Sequence, residues 1–284
     1  MSLISIAIYD TPENGRSELT RRTLESLLET VDFQRHRVFL VVNAATDETE
    51  NDIKHFFNCL DKSCTIIRNA ENVGTARAIN QAWKYRKPGE HAIKMDNDVV
   101  IHRAGWVDEM EEAITRDARI GIIGLKRKDL WETPWHPSPD FRSTLRMLPH
   151  EAGQRWIIVE DVQHVMGTCQ MYSSALLDKI GYLYQPGPYG FDDSLSAIRC
   201  RVSGFRSCFL HGYEIDHIDP GGNDHTKWKS DITASGTPAN KEYHRLKDGY
   251  LSGAIPVYYD ADGAQPVEHA LPFRSWLVPN LSTR

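Results

Sequence analysis

His91-Ala92-Ile93-Lys94-Met95-Asp96-Asn97-Asp98-Val99-Val100-Ile101 is the stretch that decides the fold. An apolar run ends in two carboxylates at i and i+2, and a second apolar run resumes at once. Carboxylates so placed at the edge of a strand can share one hard divalent cation. Mg2+ and Mn2+ favour oxygen ligands, and Mg2+ is often held by one or two carboxylates plus the phosphates of a substrate. Asp and Asn are also favoured turn residues, so the triplet alone is more often a solvated turn. The neighbouring segments separate the two readings.

Before it, Ile4–Tyr9 is apolar and β-rich, and Thr11-Pro12-Glu13-Asn14-Gly15 breaks the chain. Leu19, Thr23, Leu24, Leu27 and Leu28 follow at helical spacing. Val38–Val42 reads as a second buried strand, ended by Asn43-Ala44-Ala45-Thr46-Asp47, with a polar helix carrying Ile53, Phe56 and Phe57 behind it. Cys64–Ile67 is a third strand, Thr75–Tyr85 a helix, and His91–Met95 a fourth strand that delivers the Asp-Asn-Asp. After it come a helix over Gly105–Arg116 and the apolar Ile120–Leu125. Strands alternating with helices of this length predict parallel βαβ units and a sheet covered on both faces. Ligands of such sheets bind beyond the carboxyl ends of the strands. Asp10, Asn43 and Asp96 all fall there, so polar groups from separate segments converge on one edge.

Further on, residues 126–165 carry Trp131, Trp135, Pro134, Pro137, Pro139 and Pro149 and read as an irregular insertion. Order returns with a strand in Val165–Tyr172, a helix over Ser174–Ile180 closed by Gly181, a helix over Ser194–Val202 after Asp192-Asp193, and a strand around Ser207–Leu210. The last seventy residues are polar with scattered aromatics, and no internal repeat is present.

Composition excludes several function classes. With 284 residues, 40% hydrophobic and 25% charged, the chain has the makeup of a globular protein with a sizeable core. A net charge of −6 gives no global attraction for nucleic acid or anionic membrane, and the basic Lys126-Arg127-Lys128 reads as a solvated face. Five cysteines, Cys59, Cys64, Cys169, Cys200 and Cys208, form no C-x-x-C pair and read as thiols in a reducing compartment. No stretch approaches the roughly 18–20 apolar residues that span a bilayer. The N-terminal run lacks a basic leader region, so a cytoplasmic location is expected.

Taken together, four blocks in order resemble the family 2 glycosyltransferases, the nucleotide-sugar-dependent enzymes of the GT-A fold. They are Val41-Val42-Asn43-Ala44-Ala45-Thr46-Asp47; Asn72-Val73-Gly74-Thr75-Ala76-Arg77-Ala78-Ile79-Asn80, similar to an N-x-G-x-x-x-A-x-N segment; Asp96-Asn97-Asp98, matching a D-x-D; and Gly190-Phe191-Asp192-Asp193 followed by Arg199, Arg201 and Gly204-Phe205, similar to the family's E-D block. The resemblance runs from about residue 3 to 218. It implies an α/β, Rossmann-like fold with a mostly parallel central sheet flanked by helices. Residues 1–222 would form the catalytic domain, 1–125 as its nucleotide-sugar half and 126–222 as its acceptor half. Residues 223–284 would be an extension that packs on the domain or forms a lid.

The implied activity is transfer of a sugar, hexosyl or pentosyl, from a nucleoside diphosphate sugar to an acceptor hydroxyl with inversion. Negative charge develops on the departing diphosphate, and a bound Mn2+ or Mg2+ stabilises it as a Lewis acid. By resemblance Asp98 is the direct metal ligand, Asp96 meets ribose or metal-bound water, and His217 is a further ligand with His211 as its competitor. Asp193 is the general base and Asp192 positions acceptor or metal water; a helix N-cap is the plainer role for this pair. Thr11, Pro12, Asn43, Asn72, Gly74, Arg77 and Asn97 are assigned to the donor, with Arg77 otherwise a solvated helix residue. Asn43 stands where relatives commonly carry Asp. An amide oxygen can still accept from a base N–H but brings no charge, a departure that counts against uridine without excluding it; the resemblance implies a UDP-sugar ahead of GDP- and dTDP-sugars. Trp131, Trp135 and Trp156 are candidates for acceptor contact or for plain packing. The acceptor stays open among glycan, lipid-linked sugar, protein, small molecule and modified nucleic-acid base, as does homo-oligomer formation. The rival functions are a nucleotidyltransferase, which typically needs more than the single glycine after the first strand, and a non-catalytic nucleotide-sugar-binding protein.

Overall fold

The computed structural model describes residues 1–60, 63–130, 143–151, 153, 155–222 and 224–265. Their elements in chain order are β1 (Ser2–Tyr9), α1 (Ser17–Thr30), β2 (Arg37–Ala44), α2 (Asp47–Leu60), β3 (Cys64–Arg68), α3 (Thr75–Trp83), β4 (His91–Met95), β5 (Val99–Val100), α4 (Trp106–Arg116), β6 (Ile120–Arg127), β7 (Thr144–Pro149), β8 (Trp156–Val162), β9 (Cys169–Tyr172), α5 (Ser174–Ile180), α6 (Asp192–Val202), β10 (Arg206–His217), α7 (Asp224–Thr233) and α8 (Pro238–Ser252).

The strands form one sheet in the order β3-β2-β1-β4-β9-β6-β10-β8-β7, with β5 on β10. β1 pairs in parallel with β2 and β4, β2 with β3, and β6 with β10. Because β9 runs antiparallel to both β4 and β6, these two point the same way, so the sheet is mostly parallel in direction. Its central strands are buried on both faces, which explains their nearly continuous apolar runs. Ile4, Ile6 and Ile8 face one core with Leu24, Leu27 and Trp106, while Leu3, Phe39 and Val41 face the other with Ile79, Leu176 and Leu246. From β1 the chain crosses first to β2 and β3 on one side, then to β4 on the other. A crevice opens at such a reversal, beyond the strand carboxyl ends.

Residues 126–165 depart from expectation. The sequence reading made them irregular throughout, yet β7 and β8 pair as an antiparallel hairpin, and β8 joins β10 through Ser207–Leu210. Ile157 and Val159 bury into the core, a long-range gain that local proline signals do not register. Pro149 ends an edge strand, where a missing N–H is tolerated. Trp131, Trp135, Pro134, Pro137 and Pro139 lie outside the described residues. α6 begins two residues earlier than expected, so Asp192 and Asp193 form its first turn.

Of the C-terminal extension, residues 224–265 are described. α8 places Leu246 and Tyr250 in the second core. Behind it Tyr259 bridges Gly181, and its N–H donates to the Ile180 carbonyl at 3.1 Å. The fully buried Arg199 of α6 ties these parts together: Nε donates to Val257 O at 2.7 Å, Nη1 to Tyr182 O at 3.0 Å, and Nη2 to Ile180 O. Its guanidinium carbon also lies 4.9 Å from the Tyr259 ring centre. Arg199→Leu removes three hydrogen bonds, leaving the Val257 and Tyr182 carbonyls without this donor and the Ile180 carbonyl with the Tyr259 N–H alone. It is expected to lower the unfolding free energy by at least about 3 kcal/mol, read by urea denaturation.

Candidate active site

A cavity of about 450 Å³ opens where the topology predicts, lined from β1 by Ala7 and Tyr9, from β2 by Asn43 and from the end of β4 by Lys94, Asp96, Asn97 and Asp98. Asp192 and Asp193 face it from α6, and His217, Asp219, His225, Trp228 and Lys229 from β10 and α7.

The Asp-Asn-Asp is held on every side. Asp96 N–H donates to Thr168 O at 2.9 Å, and Ile218 N–H donates to Asp98 O at 2.9 Å. Two α1 hydroxyls grip the turn: Thr20 Oγ1 accepts from Asn97 Nδ2 at 2.8 Å, and Thr23 Oγ1 from Val99 N–H at 3.0 Å. β5 pairs with the end of β10, setting His217 opposite Val99. That register brings the His217 Nε2 to 3.5 Å from Asp98 Oδ2.

Asp98, His217 and Asp219 offer ligand atoms that all lie within 4.8 Å of one another. Asp98 Oδ1 is buried with no hydrogen-bond partner, which is costly for a carboxylate unless a ligand completes it. This donor set of two carboxylates and an imidazole fits a Mn2+-like ion. Arg16 lies among them, paired with Asp98 Oδ2 and 3.0 Å from Asp219 Oδ2, while Lys229 Nζ is 3.2 Å from the same Asp219 oxygen. Burial alone would raise the Asp98 carboxyl, but the His217 bond and the Arg16 charge outweigh it and hold it down at about 2. Asp219 is likewise held below its usual range: the Gly221 N–H and Arg16 overcome its burial. Asp96 goes the other way, raised by burial to about 6 despite Lys94.

Across the cavity, Gly190 and Phe191 both take positive φ, 83° and 67°, and turn the chain into α6. The Asp192 carboxylate stands 2.8 Å from Lys94 Nζ, which is 3.8 Å from Asp96. Asp193 Oδ2 accepts from the Gly167 N–H at 3.1 Å and lies 3.3 Å from His164 Nε2; Oδ1 accepts from Ser194 N–H at 2.7 Å. Burial would raise Asp193, yet His164 and Lys94 hold it well below the usual carboxylate range, so it stays ionised. The N-cap of α6 is Phe191, without a side-chain capping bond, so neither aspartate takes the plainer capping role; the Ser194 contact lies within the first turn. Gly167 is required by close approach, since a Cβ there would lie 2.7 Å from Lys94 Nζ.

Other expected residues scatter. Asn43 is buried in the cavity wall, its Oδ1 accepting from Asn69 Nδ2 at 2.8 Å, and Asn72 lines the same cavity. Thr11 and Pro12 are absent from that lining; Thr11 closes its own turn with Asn14. Gly74 and the exposed Arg77 border a neighbouring cavity of about 560 Å³ with Gln185 and Asp262. His211 sits 2.8 Å from Glu160, away from the acidic cluster, so His217 is the histidine that meets Asp98. Trp156 is 57% exposed at the start of β8 and does not line the cavity. Aromatic faces come instead from Tyr189, His225 and Trp228, with the last two stacked at 5.5 Å.

Sequence reading missed Asp219, Lys94, Arg16, Lys229 and His164. Asp219 follows His217 by two residues, the same spacing as the Asp-x-Asp. Lys94 is the one charge inside an apolar strand and is itself a signal that buried acids lie opposite. The others have no local mark.

Lys94 neutralises the buried Asp192 and stands beside the partly exposed Asp96. In EDTA, Lys94→Met should lower the unfolding free energy by about 3–5 kcal/mol at pH 8. Asp96 already has a folded pKa raised to about 6, above its unfolded value. Its protonated form is thus favoured on folding, and its ionisation costs stability as pH rises through that window. The deficit of Lys94→Met is therefore expected to narrow as pH falls from 8 toward 5, measured by urea denaturation across pH.

Several solved structures share the fold. GalNAc-T7, solved with UDP, GalNAc and Mn2+, superposes with a TM-score of 0.61 at 14% identity, over 88% of this chain and 49% of that one. The chain thus spans about half the length of GalNAc-T7. S. aureus TarS 1-349 in complex with UDP-GlcNAc gives 0.55 at 16%, over 88% and 72%. The mannosyltransferase PcManGT from Pyrobaculum calidifontis, with GDP-Man and Mn2+, gives 0.53 at 18%, over 97% and 82%. Comparison with curated protein sequences finds no match. The sequence model described as Glycosyl transferase family 2 matches residues 11–181, more than half of the chain. The chain belongs to glycosyl transferase family 2.

Proposed function

We propose that this glycosyltransferase moves a sugar from a nucleoside diphosphate sugar to an acceptor hydroxyl in a single displacement with inversion. The observation that carries the reading is one cavity with three residues grouped as a metal could be held on one wall and a separate carboxylate pair, Asp192 and Asp193, on the other. A divalent ion held by Asp98, His217 and Asp219 would act as a Lewis acid toward the charge developing on the diphosphate. In this reading Asn43 and Asn72, which line the cavity, meet the nucleoside, and Asp96 its ribose hydroxyls. The donor class is supported by the UDP-GlcNAc and GDP-Man in the complexes of two similar structures.

Asp193 is the base. Its carboxylate takes the acceptor proton as the hydroxyl oxygen bonds to the anomeric carbon, and the bond from that carbon to the diphosphate breaks with its electron pair. Direct attack by the acceptor oxygen, with Asp193 as base, gives inversion. Asp192, fixed by Lys94, orients the acceptor beside it. No helix among the described residues is long and apolar enough to cross a membrane.

Asp193→Asn should keep nucleotide binding and lose transfer by about 10²–10⁴-fold. The first is read by thermal shift with Mn2+ and a panel of nucleotide sugars, the second by slow donor hydrolysis and acceptor transfer. Unchanged turnover removes Asp193 as base. Asp98→Ala should abolish the Mn2+-dependent part of the thermal shift, and an equal shift in that variant overturns the metal seat.

A further inference from the structure

Two cations have a claim on one set of oxygens at the end of the sheet. The Arg16 guanidinium pairs with Asp98 and lies 3.0 Å from Asp219, two of the three groups in the metal seat. Its side chain is 5% exposed and the two carboxylates 4% and 5%, so water does not replace a missing counter-charge. Ionised carboxylates in such a place demand a cation at all times.

The charges balance as they stand. Asp98 and Asp219 carry two negative charges, and Arg16 and Lys229 two positive ones. A divalent ion on the same oxygens leaves the cluster in excess by two, and a guanidinium a few ångströms away repels it. The Arg16 backbone is fixed at the start of α1, its N–H donating to Asp10 Oδ1 at 2.7 Å. Only the side chain can give way. It lines the same cavity that would hold the donor, and its planar fork of donors suits phosphate oxygens.

We propose that Arg16 is a tethered counter-cation of the metal seat: it holds Asp98 and Asp219 until a divalent ion enters with the donor diphosphate, then turns to the diphosphate. This rests on the reading of Asp98, His217 and Asp219 as the seat. It makes Arg16 a positioning residue and gives the two ligands a mutual dependence. The ion alone must displace Arg16 unaided, whereas the diphosphate both offsets the excess charge and receives the freed guanidinium. By linkage, each ligand then strengthens the other by the same factor.

Titration of the full chain with Mn2+ alone, following the free ion by electron paramagnetic resonance, tests this. Arg16→Met is expected to bind Mn2+ at least ten-fold more tightly than wild type. With UDP or GDP added, whichever binds, the nucleotide's enhancement of Mn2+ affinity should be smaller in the variant than in wild type. A damaged site weakens metal binding, so tightening distinguishes displacement from mere disruption. Should Arg16→Met not fold, Arg16→Lys serves: an ammonium lacks the paired donors of the guanidinium fork and holds the two carboxylates less firmly, and about three-fold tightening is expected. If Mn2+ binding depends on Asp98, by loss in Asp98→Asn, yet is no tighter in the folded Arg16 variant, the seat stands and the tethered counter-cation is overturned. If Mn2+ binds to no variant, or equally after Asp98→Asn, the seat itself fails and this inference with it.

Discussion

Carboxylates crowded at the carboxyl end of a sheet repel one another, and their compensation by built-in cations is the constraint on which this site depends. Asp96, Asp98, Asp192, Asp193 and Asp219 line one cavity, and Lys94, Arg16 and Lys229 are threaded between them. Lys94 rises from the floor of β4 and joins the donor side to the acceptor side. Much local detail serves that arrangement. Gly167 leaves room for the ammonium, the α1 threonines fix the turn above it, and β5 holds β10 at the register that delivers His217. An apolar replacement of Lys94 leaves Asp192 without its counter-charge in a place where water is scarce.

The cavity is assembled from chain segments far apart in sequence. Arg16 precedes α1, while Asp219 and Lys229 belong to the turn after β10 and to α7, so their contacts join the first loop of the chain to its last described quarter. α7 buries none of its residues and meets the site chiefly through His225, Trp228 and Lys229. This wall therefore rests on polar and aromatic contacts, whereas the floor rests on a buried sheet.

The fold was legible because its central strands are buried on both faces. Ile4–Tyr9, Val38–Val42 and His91–Met95 read as apolar runs and lie inside β1, β2 and β4. Asp96, Asp98, Asp192, Asp193 and His217 were legible because each sits just beside an element boundary, where a polar group interrupts a periodic pattern. The β7–β8 hairpin was not, since its stability comes from pairing with β10, a contact local sequence cannot register. Arg16 and Lys229 were hidden for the same reason. An arginine among turn residues and a lysine on a polar helix look solvated until the chain folds them onto Asp219. Thr11 and Pro12 differ: position after β1 suggested a ligand contact, whereas the Thr11–Asn14 turn closes on itself and neither residue lines the cavity.

Phe191 has a backbone conformation that a side chain with a Cβ adopts at a cost on the order of 1 kcal/mol. Its ring stacks on Tyr243 of α8 at 4.6 Å and 16°, and Gly190 before it passes against Thr233 so closely that a Cβ would come within 2.6 Å. The helices α7 and α8 thus act as a splint on the turn that precedes the acidic pair. The turn that delivers Asp193 is braced from outside the parallel sheet, in addition to the carboxylate's own contacts with Gly167, His164 and Ser194. Such a layout lets the donor half stay fixed while the aim of the base is adjusted by changes in α8, a helix that lines none of the cavity.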